Sequence, residues 1–433
     1  MQIQRQVQAI KMISKEIILK IFEGFSIQRW TDLLRPFDIV EMDKAAEKTV
    51  LAYIIGKYEE HNSKFVDWLW IIYASLFDLL KKIALCDIKA PVLQMLEEKY
   101  PEEYARLNEW VLSQYKTILD EELYLKFCEY MMQKSFPDKI PEKSRLAFRI
   151  FSAANKFATI RELQMLTVVN ESFRLEQINT ELQTSLQPFL DLQGLQMLFT
   201  HQHSFDFLMK VEQLRFQIRW NQTPRVPKTS VLGHCFFVAV ITLLLCRENP
   251  VKMCEKRIIN NFFSALFHDL PEAVTRDIIS PVKQATDELP NIVKKIEDEI
   301  VNKELVPLME DFYSEEIIFY TSDEFSNRIK EPSSDAKIVS WEELNSVYNK
   351  DSFNPVDGRT VRIADHLSAL IEADRSIKHG ITSSHLESGI NGMLSTYPCS
   401  SLINGIDVGF LFRKLIESHI LILSSKKNQR SFR

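Results

Sequence analysis

The chain has 433 residues, 45% of them hydrophobic and 26% charged, with a formal net charge of −6. That mixture is ordinary for a globular protein and long enough for two or three domains with a large core. It excludes nucleic-acid binding driven by a broadly basic surface, and the low content of 10 glycines argues for long helices over glycine-rich phosphate loops and tight hairpins.

In chain order the predicted elements are helical. Ile10, Ile13, Ile17, Ile18 and Ile21 form the apolar stripe of an opening helix. Val50, Leu51, Ile54 and Ile55 do the same within Ala45 to Lys57, and Trp68 to Lys81 reads as a strongly apolar helix. Leu107, Trp110, Val111 and Tyr115 mark another helix. Phe236 to Cys246 and Ile258 to Phe267 are apolar on most sides, which predicts central positions. A closing helix is expected from Gly409 to Ile422. Pro137-Asp138, Glu331-Pro332-Ser333-Ser334 and Asn354-Pro355-Val356-Asp357-Gly358 read as loops. Extended alternation is rare, so the expected fold class is all-α.

The six cysteines, Cys86, Cys128, Cys235, Cys246, Cys254 and Cys399, form no CxxC pair and fit a reducing compartment. The first residues lack the apolar core of a secretory signal. The longest apolar run, Phe236 to Cys246, falls short of the roughly 20 residues a membrane span needs. These readings predict a cytoplasmic protein with neither a membrane nor a nucleic-acid partner.

A repeat is expected at an offset of 190 residues. In that register Arg29-Trp30 matches Arg219-Trp220, Arg35 matches Arg225, Leu76-Phe77 matches Leu266-Phe267, and Asp87-Ile88 matches Asp277-Ile278. Pro91-Val92 likewise matches Pro281-Val282. The expected organisation is a domain at 1–165, a helical connector at 166–205 and a second domain at 206–433.

The candidate chemistry belongs to the second domain alone. His234, the pair His268-Asp269, and Asp365 lie on three separate apolar stretches. Two imidazoles and two carboxylates can enclose one divalent metal, and mixed nitrogen and oxygen donors suit Mn, Fe, Co, Ni or Zn. Water on such a metal becomes a nucleophile near neutral pH. Neighbouring residues of a regular helix point about 100° apart, so His268 and Asp269 can converge only at a helix end or distortion. A helix-end ion pair would explain the dipeptide without chemistry, but burial in so apolar a run is costly unless the groups are paired or bind metal.

Glu272 follows Asp269 by three residues and is placed for general acid or base work; the alternative is a helix-start glutamate stabilised by the dipole. Arg219 suits a phosphate and Trp220 a base or sugar, although their match to Arg29-Trp30 also allows a packing role. Asp277 is a substrate contact or a cap. In the 190-residue register Lys44 stands opposite His234, Asp78 opposite His268 and Leu79 opposite Asp269; outside that register, Ala153-Ala154-Asn155-Lys156-Phe157 resembles Ile363-Ala364-Asp365-His366-Leu367, which sets Asn155 opposite Asp365. The first domain therefore lacks every expected ligand.

The series His234, His268-Asp269, Asp365, with Glu272 three residues after Asp269, resembles the HD-domain metal-dependent phosphohydrolases. The run from His268 through Thr275 and Asp277 to Ser280-Pro281-Val282-Lys283, with Arg219-Trp220 ahead of His234, is most similar to the bacterial 5′-deoxynucleotidase branch. The resemblance covers roughly residues 205–380. It implies two tandem HD-like helical bundles, the first degenerate. It further implies one divalent metal on His234, His268, Asp269 and Asp365, and Glu272 as general acid or base. Arg219, Trp220 and Asp277 would face a nucleoside monophosphate. The doubled domain and Gly233, where that branch often has glutamate, depart from the pattern and leave substrate choice open. No Gly-Tyr-Pro follows His268-Asp269, which sets the chain apart from dinuclear cyclic-dinucleotide phosphodiesterases. The expected function is a metal-dependent phosphohydrolase acting on a nucleotide phosphomonoester. The alternatives are a metal- and nucleotide-binding sensor or scaffold and a cyclic-nucleotide phosphodiesterase. Apolar helices in two copies also make a homodimer an expected form.

Overall fold

The structure is a computed structural model that describes residues 13–276 and 286–416. Almost every ordered stretch is helical. Two long helices sit at the centre. The first, Glu41–His61, packs on Arg145–Leu166 and Trp68–Leu85; the second, Val231–Arg247, packs on Glu255–Phe267 and Gly358–Lys378. The two central helices also pack against each other, so one continuous apolar core runs from Ile13 to Ile416. Each fully buried Ile, Leu or Phe contributes about 1.5–3 kcal/mol relative to exposure, which makes this shared core the main source of stability.

The elements begin where short polar side chains can satisfy the free amides of a first turn. Ser14, Asp67, Asp120 and Ser230 each accept from the amide three residues on. Ser340 and Glu343 form a reciprocal capping box. Uniform apolarity explains why Val231–Arg247 is central, since residues 231–246 are all buried. Glu41–His61 is buried to a similar degree although it carries Glu41, Asp43, Lys44, Glu47, Lys48 and Glu59. Glu41, Glu47 and Lys48 persist inside because partners surround them: Arg29 binds Glu41 at 2.6 Å, Arg215 binds Glu47, and Lys48 binds Asp78.

Both halves show the same local succession. A 3-10 turn at Glu23–Phe25 precedes an antiparallel bridge between Gln28 and Val40; a turn at Gln213–Arg215 precedes one between Ile218 and Ser230. Trp30 (φ 56°) and Trp220 (φ 57°) both adopt left-handed backbone, an uncommon conformation for a bulky side chain. Contacts between the halves pair up in the 190-residue register. Phe25 packs on Phe237 with centroids 5.9 Å apart, while the corresponding residues Arg215 and Glu47 form an ion pair. Gly233 lets the halves approach closely, since a Cβ there would lie 2.7 Å from Asp43 Oδ1 and 2.8 Å from Phe25.

Some expectations need correction. Asn354 to Gly358 is not simply a loop: Val356–Asp357 is a strand paired with Asn327–Arg328, and Gly358 opens a helix. Lys337–Ile338 completes that three-stranded antiparallel sheet, and Leu402–Ile403 pairs with Ile406–Asp407. Strands of two or three residues carry no readable alternation. Trp110 is 47% exposed and is no core residue, because the helix Pro101–Ser113 buries only Asn108 and Val111. Tyr115 is fully buried beyond that helix, where its hydroxyl donates to the Leu80 carbonyl. The boundary expected at 205/206 falls inside the helix His203–Glu212. Ile10 lies outside the described residues, as does the expected closing helix beyond residue 416. Among the described residues no helix is long and apolar enough to cross a membrane.

Candidate metal centre

Three helices deliver the expected ligands to one place. His234 sits in the first turn of Val231–Arg247, whose start is fixed by the Ser230 cap. The helix Glu255–Phe267 stops at Phe267, leaving His268 as its cap and Asp269 in the turn that follows. That stop lets adjacent side chains aim at one point. Asp365 projects from Gly358–Lys378. His234, His268 and Asp269 can each offer a ligand atom within 4.8 Å of the others. His234 Nε2 lies 3.3 Å from Asp365 Oδ1 and 3.6 Å from Asp269 Oδ2, and His268 Nε2 lies 3.3 Å from Asp269 Oδ2.

The hydrogen bonds on the far sides of the rings decide what these nitrogens can do. His268 Nδ1 lies 2.8 Å from the Ala265 carbonyl, an acceptor only, so Nδ1 carries a proton, and in the neutral ring Nε2 presents a lone pair. His234 Nδ1 pairs with Ser368 Oγ at 3.0 Å. Burial and the positive charge of Arg219 push the His234 pKa below its usual value, which favours a neutral ring. Both Nε2 atoms are buried and have no hydrogen-bond partner among the described residues. Lone pairs converging with two carboxylates form a donor set that a divalent cation satisfies. The residues therefore fit a metal. The histidine side chains are wholly buried, whereas Asp269 and Asp365 keep 18% and 15% exposure, so the site opens on its carboxylate side.

Arg219 lies at that opening, 3.6 Å from Asp269 and 3.9 Å from Asp365. Burial lowers its pKa, but Glu372, Asp365, Asp269 and Glu272 together raise it, so it stays charged. Trp220 stands beside it, its Nε1 donating to Glu372 Oε2 at 2.8 Å. Glu272 opens the short helix Glu272–Thr275 within electrostatic reach of Arg219, and the Gln217 side chain donates to its carbonyl at 2.8 Å. Asp277 and the run Ser280 to Lys283 lie outside the described residues.

The sequence reading missed Glu372. This buried carboxylate accepts from Trp220 and Thr229, pairs with Arg219 at 3.4 Å and approaches His234 Nδ1 at 3.8 Å. Against its burial, Arg219, Arg225 and His234 hold its pKa down at about 2. The available signal was spacing, since Ser368 and Glu372 follow Asp365 by three and seven residues and so share its helical face. Arg362 was also missed. Its guanidinium lies 3.4 Å from Asp365 and 4.4 Å above the Phe325 ring, placing a second cation at the opening.

Asn155 occupies the position of Asp365 seven residues before Glu162, as Asp365 precedes Glu372. Glu162 accepts from Trp30 Nε1 at 2.8 Å and from Arg29 at 3.0 Å, the bonds that Glu372 makes with Trp220 and Arg219. Where His234 would stand, Lys44 binds Thr159 and lies 4.0 Å from Glu162. The Arg-Trp-Glu frame recurs in the first half, where no comparable His/Asp cluster stands among the described residues.

Residues 211–393 match the family model described as HD domain. HD domains are generally metal-dependent hydrolases, and the match includes His234, His268, Asp269 and Asp365. Among curated proteins the chain has no match.

Proposed function

We infer, from the HD domain at 211–393 and the donor set within it, that the chain is a metal-dependent phosphohydrolase acting on a nucleotide phosphomonoester. The observation that carries this reading is the pair of His Nε2 atoms, without a hydrogen-bond partner among the described residues, that converge on Asp269 and Asp365 beside Arg219. A metal held by His234, His268, Asp269 and Asp365 would supply Lewis-acid polarisation of the phosphoryl group and an activated water. Arg219, kept in place by Glu372, offers its guanidinium to the phosphate oxygens, and Arg362 adds charge from the other side. Trp220 has its indole N–H committed to Glu372 and presents its ring face for a base or sugar. Glu272, close enough to Arg219 to act on its charge, is the residue for proton transfer. A monophosphate is favoured over a cyclic dinucleotide because no Gly-Tyr-Pro follows His268-Asp269.

We further propose that residues 1–165 are a degenerate repeat of this domain, joined through 166–205. The recurrent Trp backbone, the matching Trp–Glu bonds and the reciprocal contacts across the halves support that reading.

The experiment is phosphate release by metal-stripped protein resupplied with Mn, Co, Fe, Ni, Zn or Mg, across ribo- and deoxynucleoside monophosphates and cyclic nucleotides. Metal-dependent release from monophosphates is expected. Release from cyclic substrates alone would replace the reading by a phosphodiesterase, and stoichiometric metal binding without turnover would replace it by a sensor.

A further inference from the structure

A cavity of about 880 Å³ lies between the two halves, and none of the metal-site residues lines it. Equivalent loops of the two halves form its walls. Arg35 on one loop and Arg225 on the other correspond in the 190-residue register, and both guanidiniums reach back to the carbonyl of the preceding loop arginine: Arg35 to Arg29 at 3.3 Å, Arg225 to Arg219 at 3.4 Å. The wall carries four basic side chains, Arg35, Arg215, Arg225 and Lys228, against Asp38 and Asp43. Arg215 is already neutralised by Glu47, and Asp43 accepts from Ser230.

Arg225 is 7% exposed, its Nη2 donates to Thr229, and its Nε and Nη1 have no hydrogen-bond partner among the described residues. Arg215 also leaves its Nε and Nη1 without a hydrogen-bond partner among the described residues, so what sets Arg225 apart is the lack of a carboxylate paired with it. Arg225 forms no ion pair among those residues. A buried guanidinium with two free donors is costly, and its planar fork matches a phosphate or carboxylate. Burial pushes its pKa below the usual arginine value, with Glu372 only partly offsetting this. Phe37 and Phe216, in edge-to-face contact with centroids 4.9 Å apart, supply an aromatic wall beside these cations. The volume falls within the roughly 300–1,000 Å³ of small-molecule sites and exceeds what a bare phosphate needs.

We propose that this cavity binds a small organic phosphate, with Arg225 and Arg35 engaging its phosphate, Lys228 adding charge at the rim, and Phe37 and Phe216 flanking its organic part. The site is independent of the metal centre but linked to it. Thr229, which accepts from Arg225, donates to Glu372, the residue that holds Arg219 and Trp220.

The test is calorimetric titration of full-length, metal-free protein in phosphate-free buffer with ATP, pyrophosphate and adenosine. The expected result is one site for ATP, weaker binding of pyrophosphate and none of adenosine. Arg35→Ala and Lys228→Ala, both outside the core, should each weaken ATP binding roughly tenfold, and Arg225→Met should abolish it. The proposal is overturned if neither ATP nor pyrophosphate binds, if adenosine binds as well as ATP, or if binding survives Arg35→Ala and Lys228→Ala unchanged.

Discussion

Glu372 accounts for more of the site's arrangement than any residue the sequence singled out. It holds Arg219 and Trp220 without contacting the proposed metal position directly. Glu372→Gln should therefore raise KM for a nucleoside monophosphate roughly tenfold while metal affinity stays within about twofold; an equal loss of both would assign Glu372 to the metal. The candidate ligands stood out because their chemistry is rare in apolar surroundings: a His-Asp pair follows a run such as Phe262-Phe263. Glu372 was not, since a glutamate in a polar-looking helix reads as a surface residue until the packing that buries it is known. Asp357 was hidden for the same reason. It accepts from Arg257 at 2.6 Å and from Asn261 at 2.8 Å, with both ionic partners wholly buried. Asp357→Ala should cost about 3–5 kcal/mol by stranding Arg257, measured by urea unfolding; a loss under about 1 kcal/mol, the range of surface pairs, would contradict that account.

At the scale of elements, the two central helices solve burial in opposite ways. Val231–Arg247 is apolar and was legible as central. Glu41–His61 carries many charged residues in sequence, yet is buried nearly all round. Its Lys44, in the register of His234, has its pKa lowered to about 7 by burial, with Arg29 adding to the effect and Glu162 opposing it. The unfolded chain holds this proton up to the ordinary value of 10.5. Burying the ammonium is thus a cost paid in full below about pH 7 that fades as pH rises toward 10.5. Lys44→Met should accordingly stabilise the protein by about 1–4 kcal/mol at pH 6, and the gain should shrink by pH 9.5. Equal unfolding free-energy differences at the two pH values would show that Lys44 is well compensated where it lies. The helices were readable from periodicity; the short strands at 327–329, 337–338 and 356–357 were not, because tertiary contacts with neighbouring helices create them.

At the scale of the molecule, the halves are joined by core, not by a tether. Phe22 and Phe25 of the first half pack on Phe237 of the second, and Tyr53 packs on Phe263 and Phe267. Chemical unfolding should show one cooperative transition, with fluorescence and circular dichroism coincident. Two separated transitions would mean that the halves are independent. The proposed offset of 190 rests in sequence on Arg-Trp and Asp-Ile pairs, whereas the face by which the halves meet was not legible, because Phe25 and Arg215 do not look like counterparts until their partners Phe237 and Glu47 are seen. The halves differ: the second carries the candidate donor set, while the first contributes packing and one wall of the shared cavity.

The most direct test of the central claim is metal content and phosphate release measured on the same samples of wild type, His268→Ala and Asp365→Asn. The account predicts about one divalent ion per chain and metal-dependent release for wild type, with both lost together in His268→Ala and both reduced in Asp365→Asn. Phosphate release that persists in metal-free His268→Ala protein would contradict it.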